Sequence, residues 1–282
     1  LARVSLLVFS ALRTVSGGDY ESKSTDRAEE VRELRGRMFR YTGVMFLIGA
    51  GGFLLQARSD EYFVGAILGV QAVAFYHLAE GFSRTAFSLP ISRLSGFLMT
   101  GMLTEGYVQS GTASVRRRFR HMVRLRFAVS VPIGFGGALL AGEIVDAVYG
   151  PEYSGAAALL ALFFLLQMPL QWIGAVSGVL VAVEKPQWFL WTKSVALLTI
   201  PLTIWWLKLW GIEGALLATT IGMAMAAGIE FMAARHYTGI SFPAADVARY
   251  LLAGGLMAAP VAVIAEFMPG SSWLVLAVGV PV

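Results

Sequence analysis

The chain of 282 residues is 57% hydrophobic and only 14% charged, with a mean hydropathy of +0.68, which excludes a soluble domain whose helices need polar faces. Cysteine is absent, so disulfides, thiolate metal sites and a cysteine nucleophile are excluded. The net charge of +4 comes from basic residues beside apolar runs, where they orient a membrane protein rather than bind nucleic acid.

An apolar run over residues 1–12 opens on Leu1 rather than methionine, without the basic start or small-residue cleavage site of a signal peptide. A second run begins at Trp273 and is still apolar at Val282. Together they lead us to expect a piece of a longer, transporter-sized chain. Residues 13–40 are polar: Gly17, Gly18 and Asp19 open a loop, and Glu29, Glu30 and Glu33 then interleave with Arg32, Arg35 and Arg37 in a short surface helix. A first span is expected over 38–57, extended over 62–68 beyond the charged break Arg58, Ser59, Asp60 and Glu61.

A minimal turn within 69–73 leads into a long helix over 75–105 that carries His77, Glu80, Arg84 and Arg93 and is bent by Pro90. Residues 115–126 hold Arg116, Arg117, Arg118, Arg120, Arg124 and Arg126, and a crossing follows over 127–140. Glu143, Asp146 and Glu152 surround a turn at Gly150 and Pro151. A long span over 155–183 contains Gln167, Pro169 and Gln171, and a four-residue turn at 184–187 contains Pro186. Spans over 188–207 and 214–234 flank a turn around Gly211, and a polar loop over 235–249 precedes a span over 250–267. The expected fold is an all-α bundle of transmembrane helices with seven full crossings and two partial ones, lying as a multi-pass protein in the cytoplasmic membrane.

Lys and Arg set the expected orientation. Segments on one side hold 17 of the 22 basic residues, whereas the turns on the other side hold Lys208 alone. The arginine-rich side is therefore expected to be cytoplasmic, and orientation accounts for it ahead of a dedicated anionic-lipid site.

The charges inside spans are the candidate site. If Phe75 marks an interface, Arg84 lies about 14 Å into the hydrocarbon, where a charge costs at least ~2.5 kcal/mol and must face protein or water. Its guanidinium offers bidentate donors to a diphosphate or an acidic sugar, and Glu80, four residues earlier, is its pairing partner on the same face. Arg93 can reach either a cavity or the cytoplasmic end by snorkelling. Gln167 and Gln171 share a face and either line a cavity or hydrogen-bond across helices. Arg58 and Asp60 suit a structural ion pair. Gly65 with Gly69, and Gly174 with Gly178, have the spacing that lets helices approach closely. His77, His121 and His236 lack metal-ligand spacing, so no metal and no cofactor are expected. Trp205, Trp206 and Trp210 form an expected interfacial belt. No catalytic constellation stands out.

Four stretches resemble the polysaccharide or lipid-linked oligosaccharide flippases of the multidrug/oligosaccharidyl-lipid/polysaccharide exporter superfamily. Residues 60–76 are similar to the family's aspartate, apolar run, Leu-Gly, Ala-Val and aromatic pattern; residues 143–153 resemble its outward turn; Glu184, Lys185 and Pro186 resemble a short inward turn; and Trp210, Gly211, Ile212, Glu213, Gly214 and Ala215 resemble the start of a later helix. Their order and spacing run from about residue 40 to 240. The resemblance implies that 1–37 is the end of a helix plus an inter-lobe loop, 38–240 a six-helix C-terminal lobe, and 241–282 an additional helix with the start of another. It also implies translocation of a polyprenyl-diphosphate-linked oligosaccharide by alternating access, without enzymatic activity. The expected partners are that lipid-linked substrate, the bilayer and an N-terminal lobe of the same chain, with no nucleic acid. The rival readings are a cation-coupled drug antiporter of the same superfamily and a membrane-bound glycosyltransferase or polymerase. The latter needs larger extracytoplasmic segments than these turns supply.

Overall fold

The structure is a computed structural model that describes residues 59–95 and 97–267, residues 41–47, and positions 31–32, 35–36 and 38–39. Arg58 and the two terminal apolar runs lie outside the described residues, and so do the side chains of residues 59, 92–100, 196 and 260–267. All regular structure among the described residues is helical, which agrees with the expected all-α class. In chain order the helices are α1 (Ser59–Leu68), α2 (Val70–Ser95), α3 (Phe97–Leu139), α4 (Ala141–Val148), α5 (Ala157–Gln167), α6 (Ile173–Ala182), α7 (Trp188–Thr238) and α8 (Ala244–Phe267). Short 3-10 turns at Pro151–Ala156 and Met168–Leu170 precede α5 and α6.

Two of these helices fold back on themselves. The Arg118 guanidinium donates to the Met102 carbonyl, sixteen residues away, a separation of about 24 Å along a straight helix and far beyond the reach of one side chain. The reversal is at Gly111, with φ +64° and ψ −155°. In α7 a Cβ built on Gly222 would lie 2.3 Å from the Thr199 methyl group, which on a straight helix is ~35 Å distant. That chain turns at Gly211, φ +64° and ψ −143°, and Gly69, φ +93°, joins α1 to α2 in the same way. A side chain at these dihedrals would clash with its own backbone, so glycine alone fits without strain. Two of the turns match the expected positions at 69–73 and Gly211. The third, at Gly111, was not expected, and the basic stretch 115–126 that follows it forms the opening turns of the second arm of α3.

Among the described residues three helical stretches, Gly101–Leu139, Pro151–Ala182 and Trp188–Thr238, are long and apolar enough to cross a membrane. The last contains both of the spans expected on either side of Gly211. Seven crossings were expected; α2 is long enough but not apolar enough, because charged and polar residues run along it.

The second arm of α3 is the central post. Lipid tails supply no hydrophobic drive between helices, so association rests on close van der Waals packing through small residues. A Cβ on Gly134 would lie 2.7 Å from Met168, one on Gly137 2.6 Å from Phe164, and one on Gly174 of α6 2.9 Å from Arg126. Gly254 brings α8 equally close, its built Cβ 2.2 Å from Val131, and the Arg124 guanidinium holds Asp246, in the first turn of α8, at 2.7 Å. On the other side, α2 packs its aromatic face on α5: Tyr76 meets Phe163 at 5.3 Å and Phe87 meets Phe164 at 5.7 Å, both edge to face.

Candidate functional site

The two faces of α2 differ in chemistry. Tyr76, Ala79, Ser83 and Phe87 repeat at three- and four-residue intervals and are buried. The opposite face carries His77, Arg84, Thr85 and Ser88, all exposed, with small Ala74 just before them and Gly81 between them. From His77 to Ser88 this polar stripe runs about 16 Å. Thr85 and Ser88 turn their hydroxyls onto the helix's own carbonyls of Gly81 and Thr85. Arg84 donates to Glu80 as the sequence spacing predicts. Its side chain is nevertheless 64% exposed while that of Glu80 is 18% exposed, so the pair anchors the guanidinium without covering it. Because α2 begins at Val70, right after the Gly69 turn, Arg84 is about 21 Å along the helix, deeper than the distance reckoned from Phe75.

Above this stripe lies a second polar group. The Glu61 carboxylate accepts from His77 Nδ1 at 2.8 Å, tying α1 to α2. Asp60 accepts a 2.6 Å hydrogen bond from the Thr219 hydroxyl on the second arm of α7. The partner expected for Asp60, Arg58, lies outside the described residues.

The third feature is a break in the middle of the Pro151–Ala182 stretch. Pro169 has no N–H and its ring crowds the carbonyl four residues back, so the helix gives way to the 3-10 turn Met168–Leu170. The Ala175 N–H bonds Trp172 at 2.9 Å, which leaves the Gln171 carbonyl outside the helical ladder. Arg126, mostly buried, donates to that carbonyl at 3.0 Å. The Gln171 amide folds back onto the Gln167 carbonyl at 3.2 Å. Gln167 and Gln171 thus belong to the break rather than to the α2 stripe, and no hydrogen bond links either to Arg84.

Arg126 was hidden in the sequence by its five basic neighbours. The signal was present nonetheless: Val115, Phe119, Met122 and Arg126 follow one helical face, and the first three are buried. Glu230 also escaped the sequence reading. It is buried in the second arm of α7 and accepts a 2.6 Å hydrogen bond from Ser177 of α6. Lys193 lies in the first arm of α7, within the span expected over 188–207. The α2 backbone runs through Arg93, whose side chain lies outside the described residues. Among the described residues no group of three or more His, Asp or Glu side chains is arranged for a metal ion.

An all-helical bundle with membrane-length apolar stretches and charges lodged inside it defines an integral membrane protein. Residues 23–158 match the model of a family described as "Polysaccharide biosynthesis protein". That stretch, just under half of the chain, ties the protein to polysaccharide synthesis or export and agrees with the resemblance to polysaccharide exporters. Two of the four resembling stretches, 60–76 and 143–153, fall inside it. No curated protein and no solved structure matches the chain.

Proposed function

We propose that the chain serves in flipping a polyprenyl-diphosphate-linked oligosaccharide across the cytoplasmic membrane, as one multi-pass lobe that alternates against an N-terminal lobe, and that it performs no catalysis. The observation that carries this reading is the exposed stripe of α2. Facing hydrocarbon, Arg84 would cost at least ~2.5 kcal/mol, so the face is stable only against water or another polar wall. An exposed guanidinium anchored by Glu80 suits the two phosphates of such a cargo, to which it can donate in bidentate fashion. The prenyl tail would stay in lipid while the head group crosses. The break at Pro169 adds support, because discontinuous helices are the usual architecture of transporter sites near the midplane.

A cation-coupled antiporter draws on a different observation, the carboxylates Asp60, Glu61 and Glu80 on adjoining turns of α1 and α2. One series of variants separates the readings in the full-length protein, scored by complementation of a flippase-deficient strain and normalised to membrane protein level. Arg84→Ala abolishes flipping at normal abundance, Arg84→Lys keeps part of it, and Arg84→Glu is no better than Ala, because the cargo is anionic. Full activity of the Glu80→Ala, Arg84→Ala double variant would remove Arg84 from the cargo site.

A further inference from the structure

We infer that the basic end of the bundle is a binding surface for anionic phospholipid headgroups, separate from the α2 stripe. Four elements build it. The second arm of α3 contributes Arg116, Arg117, Arg120 and His121, all exposed on one side of the helix, while Val115, Phe119, Met122 and Val123 are buried on the other. The C-terminal turn of α7 contributes exposed Arg235 and His236, the turn before α7 contributes Lys185, and the start of α8 contributes Arg249.

Contacts join these pieces into one surface. A Cβ on Gly239, the left-handed residue that ends α7, would lie 3.4 Å from the Arg116 guanidinium, so Arg116 lies beside the negative end of that helix. Asp246 is shared by Arg124 at 2.7 Å and Arg249 at 3.8 Å. The Lys185 ammonium sits 5.4 Å from the Tyr237 ring centroid, and the Trp188 indole N–H points at the Tyr237 hydroxyl at 3.4 Å. Among the described residues the surface has two carboxylates against these bases, Asp246, which is engaged by Arg124 and Arg249, and Glu184.

What identifies the partner is the level at which the chemistry changes. On each element an exposed large apolar residue follows within one turn toward the middle of the bundle: Leu125 after His121, Met232 before Arg235, Leu252 after Arg249 and Trp191 after Trp188. The same order of change on these elements, bases outward and large apolar side chains inward, marks the boundary between headgroups and hydrocarbon, and amphipathic Trp188 and Tyr237 lie among the bases on its outer side. Bases held at that boundary meet the phosphates of the lipid layer itself, where each is attractive to anionic lipid. The α2 stripe is elsewhere, since α2 packs on α1, α3 and α5, whereas this surface lies where α3, α7 and α8 meet.

The test is lipid selection by the full-length protein. Reconstituted into nanodiscs of equal phosphatidylglycerol and phosphatidylcholine and then extracted in mild detergent, the protein is expected to retain phosphatidylglycerol in excess. Arg117→Gln with Arg120→Gln, two exposed side chains without a partner among the described residues, lowers that preference at least about tenfold, whereas Arg117→Lys with Arg120→Lys keeps most of it. Arg84→Gln, on the other surface, leaves it unchanged, so the result stands or falls independently of the cargo reading. An unchanged preference in the double Gln variant, or displacement of the lipid by inorganic phosphate alone, overturns the proposal.

Discussion

The Arg126 contact with the broken helix makes a prediction whose magnitude follows from the geometry. Replacing Pro169 by alanine restores the missing N–H, lets the helix run through Met168–Leu170, and returns the Gln171 carbonyl to an in-helix partner, the Ala175 N–H. Arg126 then has nothing to supply at that carbonyl. Replacing Arg126 by methionine, similar in length and uncharged, has two opposing effects in the native background. It removes a hydrogen bond from a charged donor, worth roughly 1.5–3 kcal/mol, and it relieves the cost of holding a guanidinium away from water. The second effect is common to both backgrounds and cancels in a double-mutant cycle. Arg126→Met is therefore expected to cost about 1.5–3 kcal/mol more in the native chain than in the Pro169→Ala background, measured by denaturant unfolding in mixed micelles. Gly174→Ala should act in the same direction as Arg126→Met, because its Cβ would lie 2.9 Å from the guanidinium and push it off the carbonyl. Equal costs in the two backgrounds, to within ~0.5 kcal/mol, would refute the reasoning.

Two further outcomes are expected. Gly211→Ala forces a side chain into φ +64°, ψ −143° and should destabilise by about 1–3 kcal/mol, whereas Gly228→Ala, with open space at its Cβ, should change the unfolding midpoint little; equal effects would contradict a reversal at Gly211. With the arginine-rich side inside, an impermeant thiol reagent applied to intact cells should label Ser154→Cys and spare Ala113→Cys in a chain that has no cysteine of its own, and the opposite pattern would invert the topology.

Much of this molecule was legible because bilayer physics is one-dimensional. Apolar length set the helical class, and glycine between apolar runs set the turns at Gly69 and Gly211. The Glu80–Arg84 pair follows from four-residue spacing alone; of the tryptophans beside the Gly211 turn, Trp205 and Trp210 are exposed and Trp206 packs on Trp210 at 5.1 Å. Hydropathy did not distinguish arginines that point to water from one that points inward. Arg117 and Arg126 lie nine residues apart in the same basic run, yet the first is exposed and the second is mostly buried. Which face of α3 meets α6 depends on where Gly174 permits close approach and on where Pro169 frees a carbonyl to receive the charge. Those are relations between helices about 45 to 50 residues apart in the chain. Sequence thus determined the helical class and two of the three glycine reversals, those at Gly69 and Gly211, but not the one at Gly111. Only the tertiary structure decided which of the charges inside the membrane is buried against another helix, because a buried charge is tolerated only where a partner from elsewhere in the chain is already in place.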